Sequence, residues 1–253
     1  MGIETRDYSS SALFYAAEGY ILKKGVISED LCSDICETLR MALIGKRTED
    51  AALDLDALLM KRESEDHDLV YRAVNMVGSS FSAYRFLAMS GIAGLVEGVS
   101  GIARSKLHFM PMAIQAQLPS DERFDYKWHQ ESRFYPWCPT VINLWVPLLR
   151  PTTVATGTMT LIPRSHIGGA REAGTYFSYK KFRQIEPSVA EDEESRAISI
   201  EAAPGDCLMF DANTIHGTKP NQSALPRLVG IIRAINSDDL DEFRPLYKAL
   251  SFD

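Results

Sequence analysis

The sequence predicts a mainly β fold with flanking α-helices: a jelly roll, a double-stranded β-helix of the cupin-like kind, with N-terminal helices packed on its core. Three observations predict it. From Lys106 onward the chain breaks into short β-rich runs separated by Pro, Gly and other turn residues. There are about eight such runs, enough for two facing sheets. Upstream of them, apolar residues recur at helical rather than alternating spacing. A chain of 253 residues can bury a sizeable core and still form one domain. We therefore expect a single domain over 1–253, with a mostly helical part (1–104), a jelly-roll core (105–236) and a C-terminal tail (237–253).

Ser10 to Tyr20 reads as a short helix stopped near Gly19, followed by an extended opening strand through Tyr20-Ile21-Leu22 and Val26-Ile27. Ser28 then caps a stronger helix. Glu29 and Asp30 suit the positive end of its dipole, and Leu31, Ile35, Leu39 and Leu43 form one buried stripe before Gly45. Helical signal returns around Asp54 to Lys61 and Tyr84 to Val99, with breaks expected at Gly78, Gly91 and Gly94, and no chemistry is assigned to this stretch. The predicted strands are Leu107 to Met110, Met112 to Leu118, Lys127 to Glu131, Val141 to Leu148, Thr158 to Ile162, Ala197 to Glu201, Cys207 to Phe210 and Leu228 to Ile235. Gly168 to Arg196 reads as a long solvated loop, or a lid, ending in the acidic run Glu191-Asp192-Glu193-Glu194.

Composition narrows the function. A formal charge of -7, from 27 Lys+Arg against 34 Asp+Glu, disfavours an electrostatic grip on nucleic acid or on anionic lipid. No apolar run approaches the roughly 20 residues of a membrane span, and Met1-Gly2-Ile3-Glu4 lacks the basic-then-apolar order of a secretory signal, so the expected location is cytoplasmic. Cys32, Cys36, Cys138 and Cys207 are too scattered for a disulfide framework, and Cys32 with Cys36 reads as a pair of small buried apolar residues. The partner left is a small-molecule substrate; nothing indicates the oligomeric state.

The chemistry-bearing stretch is Trp128-His129-Gln130-Glu131. Side chains at i and i+2 of a strand leave one face, so His129 and Glu131 can converge on an ion, with His216 from the strand after Cys207-Leu208-Met209-Phe210 as third donor. Two histidines and one carboxylate leave metal positions open for chemistry. The same set also serves a catalytic zinc hydrolase, and a packed core histidine is the plain alternative for His129 taken alone. His108, His67 and His166 are weaker candidates, His166 being the best reserve ligand. Arg227 opens the apolar strand Leu228-Val229-Gly230-Ile231-Ile232, where a buried guanidinium needs an anionic partner. That partner is either a structural carboxylate or a carboxylate-bearing cosubstrate. Trp128, Phe134, Tyr135 and Trp137 can wall a pocket, and Arg133 and Arg233 either meet an anionic substrate or lie at the surface.

Trp128-His129-Gln130-Glu131, Asn143-Leu144-Trp145-Val146-Pro147-Leu148, Gly157 through His166, Pro204-Gly205-Asp206, and His216 with Arg227 occur in an order that resembles the phytanoyl-CoA dioxygenase-like family of Fe(II)/2-oxoglutarate oxygenases. The resemblance covers residues 105 to 236 firmly. It implies that His129, Glu131 and His216 bind Fe(II), that Arg227 holds the distal carboxylate of 2-oxoglutarate, and that Thr218 adds a hydroxyl contact. It also implies oxidation of a C–H bond of a small metabolite or natural-product intermediate by O2, with succinate and CO2 released. The chain departs from the family's pattern at Glu131, where Asp is usual, but a carboxylate there argues against the related halogenases. A zinc hydrolase using the same three residues and a non-catalytic jelly-roll binding protein are the competing functions.

Overall fold

The computed structural model describes residues 8–66, 68–121, 127–136, 138, 140–177, 183–187 and 189–239. His67, Trp137 and most of the expected tail lie outside them.

The helical part begins with α1 (Ser9–Glu18), ended by Gly19 at φ 81°, whose N–H donates to Tyr15 O. This glycine also permits a close approach, because a Cβ there would overlap Thr214 and the His166 ring. β1 (Tyr20–Lys23) is shorter than expected. Val26-Ile27 is not part of it: Ile27 N–H donates instead to Gly205 O, and Asp206 accepts from Gly25 N–H, so the Pro204-Gly205-Asp206 turn pins this connection. α2 (Glu29–Ile44) buries Leu31, Ile35, Leu39 and Leu43 as its periodicity requires. Ser28 stands at its N-cap, but the Ser28 side chain makes no capping bond, and the first turn is closed by its backbone carbonyl.

The stretch with mixed signal resolves into four helices: α3 (Leu55–Glu65), capped by Asp54 on Ala57 N–H, α4 (Leu69–Val77), α5 (Phe81–Met89) and α6 (Ile92–Ser100). The break at Gly91 is real, since its N–H bonds Val26 O and a Cβ would press on that carbonyl. Gly94 breaks nothing; it lies inside α6 against Arg104. Arg62 is fully buried in this layer and satisfied by Leu43 O, Glu65 and Asp50, a structural ion cluster that periodicity does not reveal.

Then come β2 (Leu107–Phe109), β3 (Ala113–Gln117), β4 (Ile142–Pro147), β5 (Met159–Leu161), β6 (Ala173–Phe177), β7 (Arg183–Pro187), α7 (Glu191–Glu194), β8 (Ile198–Ile200), β9 (Cys207–Asp211), β10 (His216–Thr218) and β11 (Arg227–Asn236). Among the described residues, one sheet has the order β1-β9-β4-β11-β2, with β3 also paired to β11, and a smaller one has the order β10-β5-β8. This is the expected double-sheet jelly roll. Helices cover the outer face of the larger sheet through a cluster containing Leu39, Leu58, Leu144 and Leu228, while Trp145, Leu161, Leu208 and Val229 pack between the sheets.

After Lys106 two further expectations change. Lys127 to Glu131 is not a strand: His129 makes a single antiparallel bridge to His216, and Glu131 starts a 3-10 turn through Arg133. The turn wins because Phe134 N–H returns to Glu131 O while the Gln130 amide bonds Gly169 O and Asn213 O, leaving no ladder to extend. The Gly168 to Arg196 insertion is not a bare loop, since it carries the β6–β7 hairpin and α7. None of the four cysteines is in a disulfide, and burial pushes the Cys32 and Cys36 thiols up to about 11 and about 12, as suits inert apolar residues. No described helix is long and apolar enough to cross a membrane.

Candidate active site

His129, Glu131 and His216 converge although Glu131 is not in a strand. Gln130, the one residue between them, is extended (φ -121°, ψ 131°), which suffices to send its two neighbours the same way. The third donor is brought in by backbone pairing, with His129 N–H to His216 O at 2.9 Å and His216 N–H to His129 O at 3.0 Å. The three side chains each offer a ligand atom, all within 4.8 Å of one another, with Glu131 and His216 buried and His129 partly exposed.

The imidazoles are held in the form a metal requires. His129 Nδ1 lies 2.8 Å from Lys127 O and His216 Nδ1 lies 2.8 Å from Thr214 O, so each carbonyl fixes the proton on Nδ1 and leaves Nε2 as the lone-pair atom. Burial lowers the pKa of both rings, that of His216 well below its usual value, and favours neutral imidazole. The Glu131 carboxylate is split between two partners. Oε1 accepts from Arg233 Nε at 2.6 Å, and Oε2 sits 4.0 Å from His216 Nε2. Two neutral imidazoles and one oriented carboxylate oxygen fit a divalent first-row metal.

A cavity of about 330 Å³ opens beside these residues, lined in part by Phe134, Tyr135, Met159 and Thr218. Its outer wall includes Tyr71, Val74 and Asn75 of α4, a helix to which the sequence assigned no role. Its floor is the inner face of the large sheet, where Asn143 is flanked in register by Phe210 on β9 and Arg233 on β11. The Trp145 indole N–H and both polar atoms of the Asn143 amide are buried there with no hydrogen-bond partner among the described residues.

Arg227 does not line the cavity. It is fully buried on the same face of β11 as Arg233, six residues away, and its Nη2 reaches Gln115 Oε1 at 3.5 Å, Gln115 being a floor residue. Arg233 is not at the surface: it pairs with Glu131 and its guanidinium stacks 5.2 Å from the Tyr135 ring centre. Arg133 and Trp128 do not line the cavity. His108 lies in β2 away from it, and His166 Nε2 bonds Ala16 O.

Two residues of the acidic run are tied to the segment around His129. Arg171 grips Glu193 through two bonds of 2.7 and 2.6 Å, which hold the Glu193 carboxyl down at about 2, and Trp128 Nε1 donates to Glu194. The Gln130 side chain accepts from Arg171 N–H at 2.8 Å. Both residues flanking His129 are therefore anchored to the insertion.

The family model described as phytanoyl-CoA dioxygenase (PhyH) matches residues 15–229. The chain belongs to the phytanoyl-CoA dioxygenase family. With the family come the reaction class and its requirements, an oxygenase that uses Fe(II), 2-oxoglutarate and O2, rather than a zinc hydrolase or a binding module. Among curated relatives, a 1-deoxypentalenic acid 11-beta-hydroxylase of Streptomyces arenae is 27% identical over 219 residues, covering 84% of this chain and 75% of the relative. Its Streptomyces exfoliatus counterpart is 26% identical over 222 residues with the same coverage. Among solved structures, the nogalamycin-pathway epimerase SnoN in complex with Fe3+, alpha ketoglutarate and nogalamycin RO is similar with a TM-score of 0.62 at 18% identity, over 89% of this chain and 82% of that one. The non-heme monooxygenase ThoJ has a TM-score of 0.62 at 16% identity, over 89% and 76% of the two chains. At such identities these structures speak to the fold, and the PhyH match carries the class.

Proposed function

We propose that this family member oxidises a C–H bond, by hydroxylation in the first instance, of a small metabolite or natural-product intermediate, with His129, Glu131 and His216 holding Fe(II) and with Arg227 and Thr218 holding 2-oxoglutarate. The observation that carries the metal assignment is the pair of Nδ1 contacts to Lys127 O and Thr214 O, since a histidine retained for packing has no need of a lone pair fixed at Nε2. The hydroxylase names of the curated relatives support the substrate class.

Loaded with iron, 2-oxoglutarate and O2, such a site supplies an oxidant strong enough for a C–H bond while the cosubstrate leaves as succinate and CO2. The chain's own contribution is placement. Arg233 holds Oε1 of Glu131, so Oε2, which faces His216 Nε2, is the oxygen that would be offered to a bound metal. Arg227 supplies a buried cation farther along the inner face of β11, and Thr218, two residues beyond His216 on β10, lines the cavity. The Trp145 N–H is a further donor suited to an acceptor-rich cosubstrate. Phe134 and Tyr135 keep water from the reacting face.

The test is direct. Protein supplied with Fe(II), 2-oxoglutarate and O2 should release succinate, Zn(II) should suppress that release, and a cell-extract metabolite should gain one oxygen atom by mass. Zinc-supported turnover without succinate would refute the reading.

A further inference from the structure

Resting on that oxygenase reading, we propose that Asn143 determines specificity by hydrogen-bonding a neutral group of the prime substrate that is both donor and acceptor, a hydroxyl or a carboxamide. Asn143 is 1% exposed and lies on the inner face of β4. Both of its register neighbours touch the proposed ligands: the Phe210 ring is centred 4.6 Å from that of His216, and Arg233 bonds Glu131. The amide therefore sits next to the reacting centre, in the wall of the cavity. Among the described residues, neither its Oδ1 nor its Nδ2 has a partner.

An unsatisfied buried amide is costly, and an apolar residue would pack this position without that cost. What bonds it must offer both kinds of group, because a primary amide has two N–H donors and one acceptor oxygen. 2-Oxoglutarate cannot do this: at neutral pH it carries only acceptor oxygens, so it leaves Oδ1 unmet. The nearby imidazoles cannot either, as each commits its Nδ1–H to a backbone carbonyl. A substrate hydroxyl or carboxamide satisfies both atoms at once. The rest of the wall, with Phe134, Tyr135 and Met159, suits an apolar body behind that group. Sites built to bond a substrate O–H or N–H discriminate strongly against analogues that lack it.

The experiment uses the full chain loaded with Ni(II), which supports no turnover, and 2-oxoglutarate. Binding of three matched probes, benzamide, benzoate and toluene, is measured by calorimetry or ligand-observed NMR for wild type and Asn143→Leu. Benzamide should bind wild type better than either other probe and lose at least about tenfold in the variant. The 2-oxoglutarate dissociation constant should change by less than about twofold. The melting temperature of the variant should equal or exceed that of wild type. Should leucine's shape not fit, Asn143→Ala must show the same loss for benzamide with 2-oxoglutarate binding kept. A wild type that binds benzamide no better than toluene or benzoate would overturn the proposal. So would a tenfold loss of 2-oxoglutarate affinity, which would give Asn143 to the cosubstrate, or a fall in melting temperature beyond about 4 °C, which would make the amide structural. Wild type that fails to bind 2-oxoglutarate at all would instead remove the oxygenase reading beneath it.

Discussion

Alternate residues of β4 and β11 face opposite sides of one sheet, and the two faces treat polar atoms differently. Toward the helices, Ile142, Leu144, Val146, Leu228 and Ile232 join a wholly apolar cluster. Toward the second sheet the same strands present Asn143, Trp145, Arg227 and Arg233 beside Val229 and Ile231. The helical layer does bury a charge, Arg62, but surrounds it with Leu43 O, Glu65 and Asp50. On the inner face, Asn143 and the Trp145 indole are left for something else to complete. The helix-facing side of these two strands is finished by apolar packing; the inward side keeps the Asn143 amide and the Trp145 indole N–H buried without a partner among the described residues.

That contrast breaks most sharply at His216→Ala. The variant should lose stoichiometric Fe(II) and succinate formation altogether while its melting curve stays close to wild type, checked by metal analysis and circular dichroism. The opposite outcome belongs to Leu144→Ala, which should cost about 2–5 kcal/mol of stability because a fully buried leucine leaves a cavity, yet leave metal affinity in the folded protein intact. Arg227→Ala should weaken 2-oxoglutarate by roughly a hundredfold through loss of charge-assisted bonds, with iron affinity nearly unchanged, as read by titration of the metal-loaded protein. The smallest effect is on pH dependence. Burial lowers the pKa of His129 and His216 below the ordinary 6.5, so the unfolded chain takes up protons first. Their contribution is fully present above about pH 6.5 and is lost as pH falls below it. Urea unfolding of metal-free protein should show a shallower loss between pH 7 and pH 5 for His216→Gln than for wild type.

The finished face was the easier one to read. The α2 stripe and most inner strands follow from periodicity, because periodicity records which side of an element is buried. The donor set and Arg227 could be picked out because histidine, glutamate and arginine are conspicuous in a β-rich context. Four things were hidden. The 3-10 turn at Glu131 depends on Gln130 bonding partners far along the chain. Arg233 could not be separated from a surface arginine until β11 was seen to carry it beside Glu131. Asn143 gave only the faint sign of a polar residue in the buried run Val141 to Leu148, and α4 reaches the cavity through tertiary packing alone.

The reciprocal backbone bonds between His129 and His216 have a consequence for how the protein can be supplied and altered. The separation of those two positions is set by the main chain, through the paired bonds between His129 and His216. On the proposed metal assignment, protein that has already folded without metal should take up added Fe(II) without refolding. The same pairing lets either imidazole be exchanged for another side chain while the spacing survives, so new chemistries can be tried at this spot one residue at a time.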